Sequence, residues 1–96
     1  MVLACIDISV AYHLLDILNK APDGASESVR NGSRQSMTDS SGAVVTGWRF
    51  TCTSDQAMII RVELCAAAVA ARESNPELSK ELLKAERVVA RAMRER

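Results

Sequence analysis

Residues 53–96 read TSDQAMIIRVELCAAAVAARESNPELSKELLKAERVVARAMRER, and this segment constrains the architecture more than any other. It predicts two helices in succession. Thr53 to Gln56 matches a capping box, in which the N-cap hydroxyl and the N3 side chain each bond the other residue's backbone N–H. Asn75 and Pro76 then suit the N-cap and the first helical position. Because almost no loop separates the two helices, we expect a tight αα corner or hairpin.

The final helix carries two rows of side chains at steps of three and four, so each row follows one face. The apolar row predicts packing against the preceding helix, in the same chain or across an oligomer interface: Leu78, Leu82, Ala85, Val89 and Met93. The basic row predicts a solvated face or a nucleic-acid-binding surface that contacts phosphates: Lys80, Lys84, Arg87, Arg91 and Arg94. Interspersed glutamates and the lack of aromatic side chains favour the solvated face.

The helix before it runs from the Thr53 cap to about residue 73 and is apolar nearly all round, so it is predicted to be the central helix. Within it, Arg61 requires either a carboxylate on another helix, such as Asp7 or Asp16, or a route to solvent. A pocket for a phosphate or carboxylate is the functional alternative, and its candidate ligand-binding residues are Arg30, Arg34, Arg61 and Arg72.

Residues 43–53 alternate in polarity and predict a strand, with Trp48 and Phe50 on its core face. Three partners for it stay open: residues 33–38, the N-terminal residues, or the same strand of a second subunit. Residues 23–42 are rich in Ser and Gly. There Asn31-Gly32 suggests a type I′ turn between short strands at 27–30 and 33–38, and an irregular loop is the alternative.

The N-terminal residues 1–21 predict a helix, which can begin at Asp7 as N-cap after a short extended start. Pro22, Asp23 and Gly24 are expected to end it. The predicted fold is therefore α+β: an N-terminal helix, a small antiparallel hairpin or sheet in residues 22–53, and a two-helix unit in residues 54–96. We expect one domain of residues 1–96, with an all-α fold as the alternative.

Composition argues against most catalytic and metal-binding classes. The 96 residues contain twelve basic and twelve acidic side chains, one histidine and three cysteines without a CxxC pair. We predict no enzymatic activity, no cofactor and no metal site. His13 is expected at the surface, and Cys52 and Cys65 are expected to be buried as small apolar residues. A cytoplasmic protein without a membrane span fits this composition.

The function hypotheses follow from the excess of apolar helix surface. A 96-residue chain has a thin core, yet both its first and its central helix are apolar over most of their circumference. We therefore predict a non-enzymatic interaction or regulatory protein that works as a homo-oligomer. Adaptors, inhibitors and viral accessory factors are the kinds of protein that this prediction includes. The alternative is a binder of nucleic acid, or of a phosphate-bearing small ligand, through its arginines and lysines.

Overall fold

The computed structural model describes residues 1–20, 25–39 and 41–95. In chain order, the elements are β1 (Val2–Asp7), α1 (Ile8–Leu18), α2 (Ala25–Arg30), β2 (Ser33–Thr38), β3 (Val44–Cys52), α3 (Ser54–Ala71) and α4 (Pro76–Glu95). The strands form an antiparallel sheet in the order β1-β3-β2. This arrangement confirms the α+β prediction, and the all-α alternative is wrong.

The central strand is β3, which pairs with two of the three predicted partners. Ala4 of β1 lies opposite Phe50, and Arg34 of β2 lies opposite Trp48. Phe50 and Cys52 are buried, as the alternating pattern predicted. The indole Nε1 of Trp48 donates a hydrogen bond to the carbonyl oxygen of Val29 at 2.6 Å, which ties α2 to the sheet.

Residues 2–7 form strand β1, so a helix over the whole of residues 1–21 is wrong, whereas the alternative of a short extended start before Asp7 is confirmed. Burial alternates there, with Val2, Ala4 and Ile6 in the core, and this period of two belongs to a strand. The start of the helix at Asp7 is confirmed, since its carboxylate accepts a hydrogen bond from the Ser9 N–H at 2.9 Å. Helix α1 ends at Leu18 with Asn19 as its C-cap residue, which is earlier than the predicted end at residue 21, and the predicted stop signals at residues 22–24 lie outside the described residues.

Residues 27–30 belong to helix α2, so the predicted strand and the type I′ turn after it are wrong. Ala25 and Val29, one helical turn apart, are both fully buried. The described residue with positive φ is Gly42, at 87°, in the turn between β2 and β3. Gly32 is needed for another reason: a Cβ there would overlap the carbonyl oxygen of Arg49 and the indole of Trp48.

The α3 N-terminus has the predicted capping box. The Gln56 N–H donates to Thr53 Oγ1 at 3.1 Å, and the Thr53 N–H donates to Gln56 Oε1 at 3.0 Å. At the start of α4, Asn75 Oδ1 accepts from the Leu78 N–H at 3.2 Å, as expected of an N-cap. Local side-chain chemistry therefore sets where each of these helices begins.

Helices α3 and α4 form an antiparallel hairpin. Near the turn, the Ser79 hydroxyl donates to the carbonyl oxygen of Ala68 at 2.7 Å. Further along, Arg61 of α3 bonds Glu86 of α4. In the described part of the chain, no helix is both long and apolar enough to cross a bilayer.

Candidate interaction surfaces

One face of α3 is apolar and exposed, and we call it the α3 stripe. Its members recur at helical spacing: Met58, Val62, Cys65, Ala66 and Val69. Met58 is 48%, Val62 60% and Val69 64% exposed. These exposed fractions are high for apolar side chains that lie together on one helix face. Covering such a surface is favourable by about 25 cal/mol for each Å² of apolar area removed from water.

The stripe is exposed because α3 is buried on its opposite face alone. Ala57, Ile60, Leu64 and Ala68 are the buried residues of this helix. Helix α3 packs against α4 and against parts of α1 and α2. The prediction of a central helix surrounded by protein was therefore wrong. The expectation that Cys65 is buried was wrong for the same reason, whereas Cys52 is buried as expected.

Opposite charges stand at the two ends of the stripe. Asp55 lies in the first turn of α3, and Arg72 is its C-cap residue. Both side chains are exposed, and neither forms an ion pair with another described residue. Along the exposed face of α3, Asp55 therefore stands at the N-terminal end of the apolar stripe and Arg72 at its C-terminal end, where the exposed Glu73 follows directly.

The apolar row of α4 lies in the core of the single chain. Leu82, Ala85 and Val89 are buried, and Leu78 and Met93 pack against that core. Helix α4 packs mainly against α3 and the strand β1. A second subunit cannot reach the buried members of this row without unfolding the α3–α4 hairpin.

The basic row of α4 faces solvent along its whole length. Lys80, Lys84, Arg87, Arg91 and Arg94 are all exposed. Two of the five have an ion pair on the same helix: Lys84 with Glu81 at 3.6 Å and Arg91 with Glu95 at 3.9 Å. Such exposed pairs contribute little to stability and are screened by salt, but their carboxylates reduce the positive potential of the row around Lys84 and Arg91.

The candidate arginine pocket is not assembled around Arg61 and Arg72. Arg61 Nε donates to Glu86 Oε1 at 2.9 Å, so its partner is a carboxylate on another helix, although neither Asp7 nor Asp16. Arg72 is eleven residues further along α3, which corresponds to about 16 Å. Arg30 bonds the Asn19 side chain at 2.8 Å, and Arg34 is exposed on β2.

A cavity of about 200 Å³ lies between the β2–β3 hairpin and α4. Its walls include Cys5, Met37, Val45, Lys84 and Val88. Burial raises the pKa of the Cys5 thiol, although the positive charge of Arg49 opposes this shift. A thiol with a raised pKa is protonated at neutral pH and is a weak nucleophile.

Two polar residues with possible chemistry have simple surroundings. His13 is exposed on α1, as predicted. Asp39 accepts hydrogen bonds from the Ser41 hydroxyl at 2.6 Å and from the backbone N–H groups of Ser41 and Ala43, and these bonds hold the pKa of its carboxyl below the ordinary value. Within the described ranges, no group of three or more His, Cys, Asp or Glu side chains is placed to hold a metal ion.

The surfaces of α3 and α4 are thus the features from which a function can be argued. Comparison with protein-family models, with curated proteins and with solved structures found no match for this chain.

Proposed function

We propose that this chain is a non-enzymatic interaction protein that works as a homo-oligomer, with the α3 stripe as its interface. It would act as an adaptor- or inhibitor-like factor in a reducing cytoplasm, which suits its three free thiols. The observation that carries the proposal is the exposure of Met58, Val62 and Val69 along one face of an 18-residue helix.

Two properties of the stripe support an interface between helices. Contiguous exposed apolar patches on small proteins mark interaction sites more often than ordinary surface. The middle of the stripe is also built from small side chains, Cys65 and Ala66, with Ala70 beside it. Small residues allow two helix axes to approach to the lower end of the usual 8–10 Å range, where dispersion contacts are numerous.

The size of the stripe sets the expected strength of association. A helix of this length is about 27 Å long, so an interface built mainly on it falls in the small class, below about 1,200 Å² in total. We therefore expect an association that depends on concentration in the micromolar range, rather than an obligate complex.

Light scattering coupled to size-exclusion chromatography tests the proposal over a series of concentrations. The wild-type chain should exceed its monomer mass of 10.4 kDa as the concentration rises. Val62→Glu should remain monomeric, because it places a charge in the middle of the stripe. Val44→Glu is the matched control: Val44 is 75% exposed but lies on the β2–β3 hairpin, and this variant should associate like wild type.

Two results would contradict the proposal. One is a wild-type mass that stays at the monomer value up to the highest concentration. The other is an equal loss of association in Val62→Glu and Val44→Glu, which would assign the effect to net charge. Circular dichroism of both variants establishes that each is folded.

The second candidate function, binding of nucleic acid, is favoured by the continuous exposure of the basic row of α4. Contacts with successive phosphates would release counterions, so affinity would fall steeply with added salt. Fluorescence anisotropy with a labelled oligonucleotide should detect binding at low salt, and Arg87→Glu/Arg91→Glu should abolish it. Absence of binding by wild type at low salt rules this candidate out.

A further inference from the structure

The charge order along α3 specifies how two copies would meet. Asp55 and Arg72 are 17 residues apart, about 26 Å along the helix, with the α3 stripe between them. We infer that two chains pair through antiparallel α3 helices related by a two-fold axis, with Asp55 of each chain facing Arg72 of the other. This inference rests on the proposed self-association.

The stripe is self-complementary in this arrangement. When Asp55 faces the second copy's Arg72, positions whose numbers add up to 127 lie opposite each other. Met58 then faces Val69 of the second copy, and Val62 faces Cys65. Every contact occurs twice, as an isologous two-fold interface requires. The small residues Cys65 and Ala66 lie next to the axis, where the two backbones come closest.

Electrostatics favours this orientation over the parallel one. Parallel helices would place Asp55 beside Asp55 and Arg72 beside Arg72, with like charges together at both ends. They would also align the two helix dipoles side by side, whereas the antiparallel arrangement sets each positive N-terminus beside a negative C-terminus. The α3 stripe therefore favours an antiparallel second copy, whereas a parallel second copy is electrostatically unfavourable.

A foreign helix would not require this symmetry of the sequence. A partner of another kind needs only an apolar surface opposite the stripe, and the flanking charges of α3 could then be of any sign. Opposite signs at equal distances from the centre of the stripe are what a second copy of the same helix recognises.

Cysteine crosslinking distinguishes the two orientations. In a Cys65→Ser background, Met58→Cys and Val69→Cys are each prepared alone and treated with a short-spacer bis-maleimide. The antiparallel pair predicts efficient crosslinking when the two variants are mixed, and little with either variant alone. In the single-variant dimers the thiols are about 16 Å apart along the axis. The native Cys52 is buried and Cys5 partly buried, and the Cys65→Ser parent measures their background.

Charge reversal tests the same pairing without cysteines. Asp55→Arg or Arg72→Asp alone should weaken dimerisation by roughly tenfold, because each converts two attractive contacts into two repulsive ones. The double variant Asp55→Arg/Arg72→Asp should restore it to within about twofold. Sedimentation equilibrium at low ionic strength supplies the dissociation constants, and added salt should reduce the difference between variants.

The outcomes separate this inference from the proposed function. A wild-type chain that stays monomeric overturns both. A dimer that depends on Val62 but crosslinks through position 58 to position 58 overturns only the antiparallel pairing. A dimer in which the double charge reversal fails to restore affinity overturns the contact between Asp55 and Arg72. Mixed crosslinking together with restoration by the double variant supports the inference.

Discussion

Removal of one hydroxyl should destabilise the end of α3. Ser79 is 8% exposed and is the buried polar side chain among the described residues. Its hydroxyl donates to the carbonyl oxygen of Ala68 at 2.7 Å. In a continuing helix that carbonyl would accept the Arg72 N–H, but this N–H bonds the Val69 oxygen instead, at 3.3 Å. Ser79 thus satisfies a carbonyl that the end of α3 leaves without its helical partner.

The structure sets the size of the effect for Ser79→Ala. A buried carbonyl left without a partner costs about 1–3 kcal/mol, and the higher helix propensity of alanine offsets roughly 0.5 kcal/mol. We expect the free energy of unfolding to fall by about 1.5 kcal/mol. For a chain of this length, that corresponds to a decrease in Tm of roughly 6–12 °C.

Urea and thermal unfolding followed by circular dichroism measure this change. All samples are compared at one protein concentration, since association stabilises the folded state by mass action. Lys80→Ala is the control, because the neighbouring side chain is exposed and its loss changes helix propensity without a buried hydrogen bond. If Ser79→Ala and Lys80→Ala have the same free energy of unfolding, water satisfies the Ala68 carbonyl and the predicted role of Ser79 is wrong.

Three further outcomes follow from single residues. At a protein concentration low enough to keep the chain monomeric, a thiol reagent should modify Cys65 fastest and Cys52 slowest, because burial shields Cys52 and raises the pKa of its thiol; equal rates by mass spectrometry would contradict the structure. Gly42→Ala, at φ 87° in open space, should destabilise by about 1–2 kcal/mol in urea unfolding through strain alone, whereas Gly32→Ala should cost more because of overlap. The pKa of the Asp39 carboxyl is lowered in the folded chain, so Asp39 should stabilise the fold above about pH 4, and this contribution should disappear as the pH falls through the lower folded pKa. In Asp39→Asn, the free energy of unfolding should therefore depend less on pH in the acid range. An unchanged dependence would refute this role.

Features whose partners lie within a few residues could be predicted from the sequence. The hydrogen bonds between Thr53 and Gln56 and between Asn75 and Leu78 each span three residues, so side-chain type and spacing were sufficient. The N-cap role of Asp7 belongs to the same class. The strand β3 could be predicted because its two aromatic side chains fall on one face.

Features that depend on distant contacts could not be predicted. Strand β1 carries apolar residues on both faces, so its period of two is weak, and it is a strand because β3 pairs with it. Asn31-Gly32 has the composition of a hairpin turn, but Gly32 is required by Trp48, which lies 16 positions further along the chain. Arg61 pairs with Glu86, which is 25 residues away. The sequence indicated that the partner is a carboxylate on another helix, but not which carboxylate.

The same limit applies to the candidate interface. A helix that is apolar all round gives no indication of which face the chain itself covers, so the α3 stripe could not be separated from the buried face by pattern. Its exposure follows from the layering of the fold. Helix α4 packs against β1, and α3 then packs against α4 with parts of α1 and α2. In that order, no described element covers the outer face of α3.

Dimerisation through α3 and nucleic-acid binding through α4 are physically compatible. The α3 stripe and the basic row lie on different helices, and each faces solvent, so a second copy on α3 need not cover Arg87, Arg91 or Arg94. If both proposals hold, a dimer presents two basic rows to one polynucleotide and gains avidity from the second. Val62→Glu, with its basic row intact, should then bind a long oligonucleotide more weakly than wild type but a short one equally well. Equal loss with both lengths would show that the two surfaces are not independent.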